Sequence, residues 1–383
     1  MVQFAVMKVL HIGKFYPPRV GGMESHLQEL GARLKAYVDV EILVANEALH
    51  HERSRVDGLQ VTRVPSFGEL VSTPLTWGLS REIARSDADI VHLHAPNPLA
   101  MMAFLRSGYA GKLVVIHHAD IVGRKPLKKL IWPVWKRCMD KASAIIVSSR
   151  TLAENSEELA LYRNKWRIIP FGLDFESLEN VSEQEIETLR ARFPGPIILY
   201  VGRLVPYKGL KYLIDAMRDV DATLLIIGKG IGTGQEETRL RRIAKSLGDR
   251  VRFLGRVPSL GPYYRAADLF VLPSCGRNEA FGLVQLEAMH CGLPVINTSL
   301  PTGVPGVSVH GVTGLTVPPR NSRALSEAIS VLLADPALRA RFSINARERA
   351  KLFTIESMVT QTLAVYEDVL SDKSQREAER ATV

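Results

Sequence analysis

The sequence predicts a two-domain α/β protein, each domain a Rossmann-like parallel sheet with helices on its faces, the two sheets facing across a cleft. Three observations carry this. Short apolar runs alternate with amphipathic stretches, as βαβ units do. The alternation restarts after a break around residues 170–196. At 383 residues and 46% hydrophobic content, the chain can fill two ordinary cores.

In the first half, strands are expected at Val6–Ile12, Val38–Val44, Leu59–Val64, Ile90–Leu93, Leu113–Ile116, Ala144–Val147 and Arg167–Ile169. In the second they fall at Pro196–Val201, Thr223–Ile227, Val251–Leu254, Leu269–Leu272 and Pro294–Ile296. Amphipathic stretches between them predict helices, among them Met23–Lys35, Lys208–Met217, Glu237–Ser246, Phe281–Cys291 and Ser322–Ala334. Phe171-Gly172-Leu173-Asp174 interrupts the pattern and a charged stretch from Glu183 to Arg192 follows, which places a linker there. The resulting division is 1–175, a linker over 176–195, and 196–354. A helix over 355–370 then packs back across the linker to the first domain, and the charged stretch 371–383 is a disordered tail. Ligands of open α/β sheets bind beyond the carboxyl ends of the strands, so the strand-end loops are where chemistry is sought.

The formal charge of +9 is spread evenly, with Lys+Arg against Asp+Glu at 23 to 19 over residues 1–180 and 26 to 21 over the rest. That excludes a dedicated nucleic-acid face, and no nucleic-acid motif with interleaved aromatics occurs. Cys138, Cys275 and Cys291 are too scattered for a disulfide framework or a metal cage, which fits a reducing cytoplasm. No signal peptide or long apolar span is apparent.

Glu279 and Glu287 are the most informative residues. With a helix starting near Phe281, they stand about 12 Å apart along it, at 1.5 Å per residue. That suits a folded-back nucleotide sugar, one carboxylate taking sugar hydroxyls and the other the ribose diol. The amides at Gly282 and Leu283 between them suit a diphosphate. The plainer alternative is a surface helix with two ordinary glutamates.

Gly202-Arg203-Leu204-Val205-Pro206-Tyr207-Lys208-Gly209 follows a strand and sets two cations five residues apart. Arg203 offers a forked donor and Lys208 a point charge for a diphosphate, unless both are simply solvated. Gly21-Gly22, after the first strand and before a helix, allows close backbone approach by a phosphate or acceptor, or forms a tight turn without a ligand. His117-His118 ends another strand. Of the two, His118 is preferred as a donor to a sugar hydroxyl, the alternative being a structural histidine.

Taken together these residues resemble a retaining family 4 glycosyltransferase of the GT-B fold, in the bacterial mannosyl- and rhamnosyltransferase branch. The resemblance spans about residues 6 to 370 and includes Pro273-Ser274 and Cys291-Gly292-Leu293-Pro294-Val295 as well. It implies transfer of a hexosyl group, mannosyl favoured, from a nucleotide sugar to a hydroxyl of a lipid-linked surface glycan. GDP-mannose is the favoured donor and a UDP-sugar the other. It implies an acceptor-binding first domain and a donor-binding second domain, with no further cofactor. Carried over, Arg203 and Lys208 hold the diphosphate, Glu279 contacts the sugar, Glu287 binds the ribose, and His118 touches the sugar or its anomeric region. The backbone around Phe281, Gly282 and Leu283 faces the donor, and the base stacks near Arg256-Val257. Two departures stand out. The turn Gly228–Gly234 is richer in glycine than usual, and residues 297–314 lack the Gly-Gly-x-x-Glu pattern, leaving Gly303 and Val304 to offer amides there.

Asp87-Ala88-Asp89 and Asp219-Val220-Asp221 look like metal-binding pairs but precede strands, on the wrong side of the sheet for a ligand. No cluster has ligand spacing, so metal independence is expected. Residues 124–137 mix cations with Trp132 and Trp135. This reads either as a segment lying on an anionic membrane surface or as a helix covering the first sheet, kinked at Pro133 in both cases. A nucleotide-sugar epimerase and a non-catalytic nucleotide-sugar-binding partner are the competing functions.

Overall fold

The computed structural model describes residues 7–19, 21–70, 73–121, 125–230 and 234–381. The chain divides into two compact units, Met1–Gly172 with Ile355–Val383, and Leu173–Thr354. Val6 of the first expected strand, Arg124 of the basic run and residues 231–233 of the glycine-rich turn lie outside the described residues.

Unit 1 contains β1 (Lys8–Ile12), β2 (Asp39–Ala45), β3 (Glu52–Val56), β4 (Leu59–Val64), β5 (Ser66–Leu70), β6 (Thr73–Thr76), β7 (Ile90–Ala95), β8 (Lys112–His117), β9 (Ala144–Val147) and β10 (Trp166–Ile168). Eight of them form one sheet in the order β10-β9-β8-β7-β1-β2-β4-β3. All pairings are parallel except β3 with β4. β5 and β6 make a separate antiparallel hairpin. Burial on both faces turns the central strands into continuous apolar runs, and every residue of β7 is buried. The alternating, half-exposed β3 and the short hairpin strands have no such run, so the sequence pattern did not reveal them.

Unit 2 contains β11 (Ile197–Val201), β12 (Thr223–Ile227), β13 (Val251–Gly255), β14 (Leu269–Val271), β15 (Val295–Thr298) and β16 (Gly314–Val317). They form one parallel sheet, β13-β12-β11-β14-β15-β16. Its core joins Tyr200, Leu213, Leu224, Ile226 and Ile296 to Ile329 and Phe342 of the covering helices. Each such buried side chain contributes about 1.5–3 kcal/mol of transfer free energy. The stretch expected to be a linker, 176–195, carries the helices Glu176–Glu179 and Glu183–Arg192 and lies in this unit. Ser182 starts the second with a reciprocal capping box, its hydroxyl taking the Glu185 amide while Glu185 takes its own.

After unit 2 the chain returns to unit 1 as the helix Ile355–Ala381, which runs past the expected end at Leu370 and packs on the helix Gly22–Leu34. The basic segment forms the helix Lys125–Lys141, which continues through Pro133. Trp135, Cys138 and Met139 are core residues on its inner side, and Lys128 pairs with Glu158 at 3.2 Å, so this helix covers the first sheet. Among the described residues no helix is long and apolar enough to cross a membrane.

Candidate active site

In the unit 2 sheet, the strand order reverses between β11 and β14, and such a switch point opens a crevice beyond the strand ends. The two motifs expected to bind a donor are the loops that leave these strands. After β11 the chain passes Gly202 and Arg203, makes a short 3₁₀ turn over Pro206–Lys208, and enters the helix Leu210–Ala216 through Gly209. Gly209 has φ of +70°, and a Cβ there would lie 2.0 Å from the Pro273 carbonyl oxygen in the loop after β14. Only glycine allows that approach. The Cys275 amide then donates to the Tyr207 carbonyl at 2.7 Å, lacing the loops together.

This close approach brings Lys208 to Glu279. The ammonium lies 2.5 Å from a carboxylate oxygen, and both side chains are about nine-tenths buried. The Ser274 hydroxyl donates to the same carboxylate at 2.8 Å. Arg203 is exposed and donates to the Tyr207 hydroxyl at 2.8 Å.

Glu287 is half-buried and accepts from the Tyr264 hydroxyl at 2.7 Å. Burial raises its carboxyl pKa above the usual range, while Tyr264 and the charge of Lys208 pull it back. Lys208 thus acts on both glutamates.

The two carboxylates do not share a helix. Gly282 has φ of +76°, outside the helical region, and the helix runs only Val284–His290. Glu279 therefore sits in a loop, and the 12 Å helical spacing does not apply. Gly282 is fixed by packing, since a Cβ would lie 2.7 Å from Leu272 and 2.8 Å from the Gln285 amide nitrogen.

A buried amide network supports this loop. Asn297 donates to Gln285 at 2.8 Å, Gln285 to the Phe281 carbonyl at 3.1 Å, and Thr298 to the Ser274 carbonyl at 2.6 Å. Gly303 donates its amide to the Ala280 carbonyl at 2.7 Å, so it braces this loop and is not open to a phosphate as the sequence suggested. Tyr264, Gln285 and Asn297 were missed in the sequence. The signal for the last two was a polar residue inside an apolar run. Val257, half-buried, follows β13 at the same strand-end edge of the sheet.

In unit 1, Gly21 caps and Gly22 opens the helix Gly22–Leu34. A Cβ on Gly22 would meet nothing within 4 Å among the described residues, whereas one on Gly21 would strike the Glu24 carboxylate. His118 follows β8 and is buried except for a small fraction of its surface. Its Nε2 lies 3.0 Å from His94 Nδ1.

The family model "Glycosyl transferases group 1" matches residues 182–349, and "Glycosyltransferase Family 4" matches residues 20–177. D-rhamnosyltransferase WbpZ of Pseudomonas aeruginosa is 32% identical over 91% of this chain and 92% of its own. O-antigen chain mannosyltransferase C of Escherichia coli is 30% identical over 96% and 100%. Among solved structures, sucrose-phosphate synthase from Thermosynechococcus elongatus superposes with a TM-score of 0.78, at 26% identity, over 96% of this chain and 100% of that one. Fold and switch-point site together define a glycosyltransferase of the GT-B type. The chain belongs to glycosyltransferase family 4, alongside bacterial mannosyl- and rhamnosyltransferases.

Proposed function

We propose that this glycosyltransferase is retaining and metal-independent, and that it moves a mannosyl group from GDP-mannose to a hydroxyl of a lipid-linked surface glycan. A UDP-sugar is the alternative donor. The observation that carries the reading is the convergence of Lys208, Glu279 and Glu287 at the switch point of unit 2. A diphosphate arriving there exchanges a carboxylate partner of Lys208 for phosphate oxygens. Glu279 is then freed for sugar hydroxyls, and Arg203 adds a forked donor. Glu287, oriented by Tyr264, takes the ribose diol. The loop backbone at Phe281, Gly282 and Leu283 runs beside the diphosphate, and the base rests near Val257. In unit 1, His118 touches the sugar or its anomeric region, and Gly21-Gly22 admit a phosphate or the acceptor.

The chemistry asked of these residues is electrostatic. Negative charge grows on the leaving diphosphate, and fixed cations at its position lower the barrier. The leaving phosphate takes the acceptor's proton as the new bond forms on the face the diphosphate leaves, which keeps the anomeric configuration. The mannosyl preference is supported by one of the two bacterial relatives, O-antigen chain mannosyltransferase C, whose match covers 96% of this chain.

The enzyme works at the cytoplasmic face of the membrane, where a lipid-linked acceptor presents its glycan. Exposed Lys129, Leu130 and Arg137 on the helix Lys125–Lys141 suit contact with anionic lipid. Flotation should recover the protein with anionic vesicles and not with neutral ones, and equal recovery removes this part of the proposal.

The decisive experiment incubates the protein with GDP-mannose or UDP-sugars and a lipid-linked acceptor, with and without EDTA, and reads product anomers by NMR. Transfer with retention, undiminished by EDTA, is expected. An inverted product, or donor binding without transfer, overturns the proposal.

A further inference from the structure

Unit 1 buries a string of imidazoles on neighbouring strands. His11 of β1 stands in register with His92 of β7, and His94 lies two residues further along the same face. His118 Nε2 meets His94 Nδ1 at 3.0 Å, and His94 Nε2 meets His11 Nδ1 at 3.2 Å. His11 Nε2 meets the Tyr366 hydroxyl at 3.2 Å, which meets His92 Nδ1 at 2.5 Å. His11, His92 and His94 are fully buried, and Tyr366 comes from the helix Ile355–Ala381.

A neutral imidazole carries one proton, so each gap holds one donor and one acceptor. Choosing which of its two rings Tyr366 donates to therefore sets every gap. Burial holds all four rings neutral. Two arrangements remain, and they differ at the ends. If Tyr366 donates to His92, protons run the other way and His92 Nε2 carries its hydrogen. That nitrogen is buried and has no partner among the described residues. A buried N–H without an acceptor is the rarer and costlier orphan. If instead Tyr366 donates to His11, His92 donates to Tyr366 and keeps only a bare lone pair at Nε2. His11 then donates from Nδ1 to His94, and His94 donates from Nδ1 to His118.

We infer that Tyr366, with His92, His11 and His94, holds His118 in the Nδ1–H form. These four are positioning residues. Resting on the reading that His118 meets the donor sugar, this makes His118 a hydrogen-bond donor to a sugar oxygen and excludes it as a base. Three of the same histidines, His11, His92 and His94, lie close enough to share a metal ion. An ion there would take the lone pairs that the string needs, which gives a clean opposing outcome.

The test is histidine ¹⁵N NMR on the full chain, with the His118 signal assigned by its loss in His118→Gln. Wild-type protein should show the Nδ1–H form, and Tyr366→Phe should keep it, because the preference for a bare buried nitrogen then falls on His11 Nε2. The inference is overturned by an Nε2–H signal in wild type or in Tyr366→Phe, or by one equivalent of zinc in the purified protein. Should Tyr366→Phe not fold, the wild-type spectrum and metal content still decide. An Nδ1–H signal in a protein that transfers no sugar upholds the string and overturns the proposed function instead.

Discussion

Lys208 and Glu279 form a buried ion pair with 2.5 Å between ammonium and carboxylate, on loops leaving two adjacent strands. Removing either partner strands a charge that burial penalises, at about 3–5 kcal/mol. Lys208→Ala and Glu279→Ala should each lower kcat/KM by about 10²–10³-fold, as loss of an electrostatic group at a leaving charge does. Each should also lower Tm. The double variant Lys208→Met with Glu279→Gln should recover Tm without activity. Near-normal turnover in either single variant refutes the assigned role.

Tyr264 donates to Glu287. Tyr264→Phe removes that donor and raises the carboxyl pKa further in the direction burial already drives it. A hydrogen bond to a charged group contributes about 1.5–3 kcal/mol. Donor affinity measured by calorimetry at pH 7 should fall by roughly tenfold or more, and an unchanged Kd would separate Glu287 from the ribose.

Gly209→Ala must place a methyl against the Pro273 carbonyl at a positive φ. The two switch-point loops would be forced apart, at a cost of about 2–4 kcal/mol. Denaturant unfolding should show that loss together with loss of donor binding. Gly22→Ala, whose methyl meets nothing within 4 Å among the described residues, should keep full stability.

The buried histidines make unit 1 acid-sensitive. Burial lowers the pKa of His11 and of His26 to about 3. The unfolded chain therefore binds more protons than the folded one between pH 6.5 and 3, and stability rises with pH across that window. It is fully present above 6.5. Going from pH 7 to 5 should cost about 2 kcal/mol for each such ring. Thermal unfolding followed at both pH values checks this, and an unchanged Tm counts against it.

The sheets were legible because parallel strands buried on both faces leave continuous apolar runs, as in Leu224–Ile227 and Val114–Ile116. The switch-point cations and carboxylates were legible as charged residues held at strand ends. Their true arrangement was not, because Gly282 turns the backbone through a positive φ that an apolar periodicity cannot register. Nor was the imidazole string. His11, the pair His92 and His94, and His118 come from three separate stretches of sequence, and the pairing of neighbouring strands brings those stretches together.

Unit 1 is built from both ends of the chain, whereas unit 2 is one unbroken stretch. On the ribosome, all of unit 2 emerges before the helix that carries Tyr366. The imidazoles of β1 and β7 therefore stay uncovered by that helix until after unit 2 has been made, and unit 2 is the first whole unit able to fold. A product stalled before that helix would thus carry a finished second unit joined to an unsealed first one.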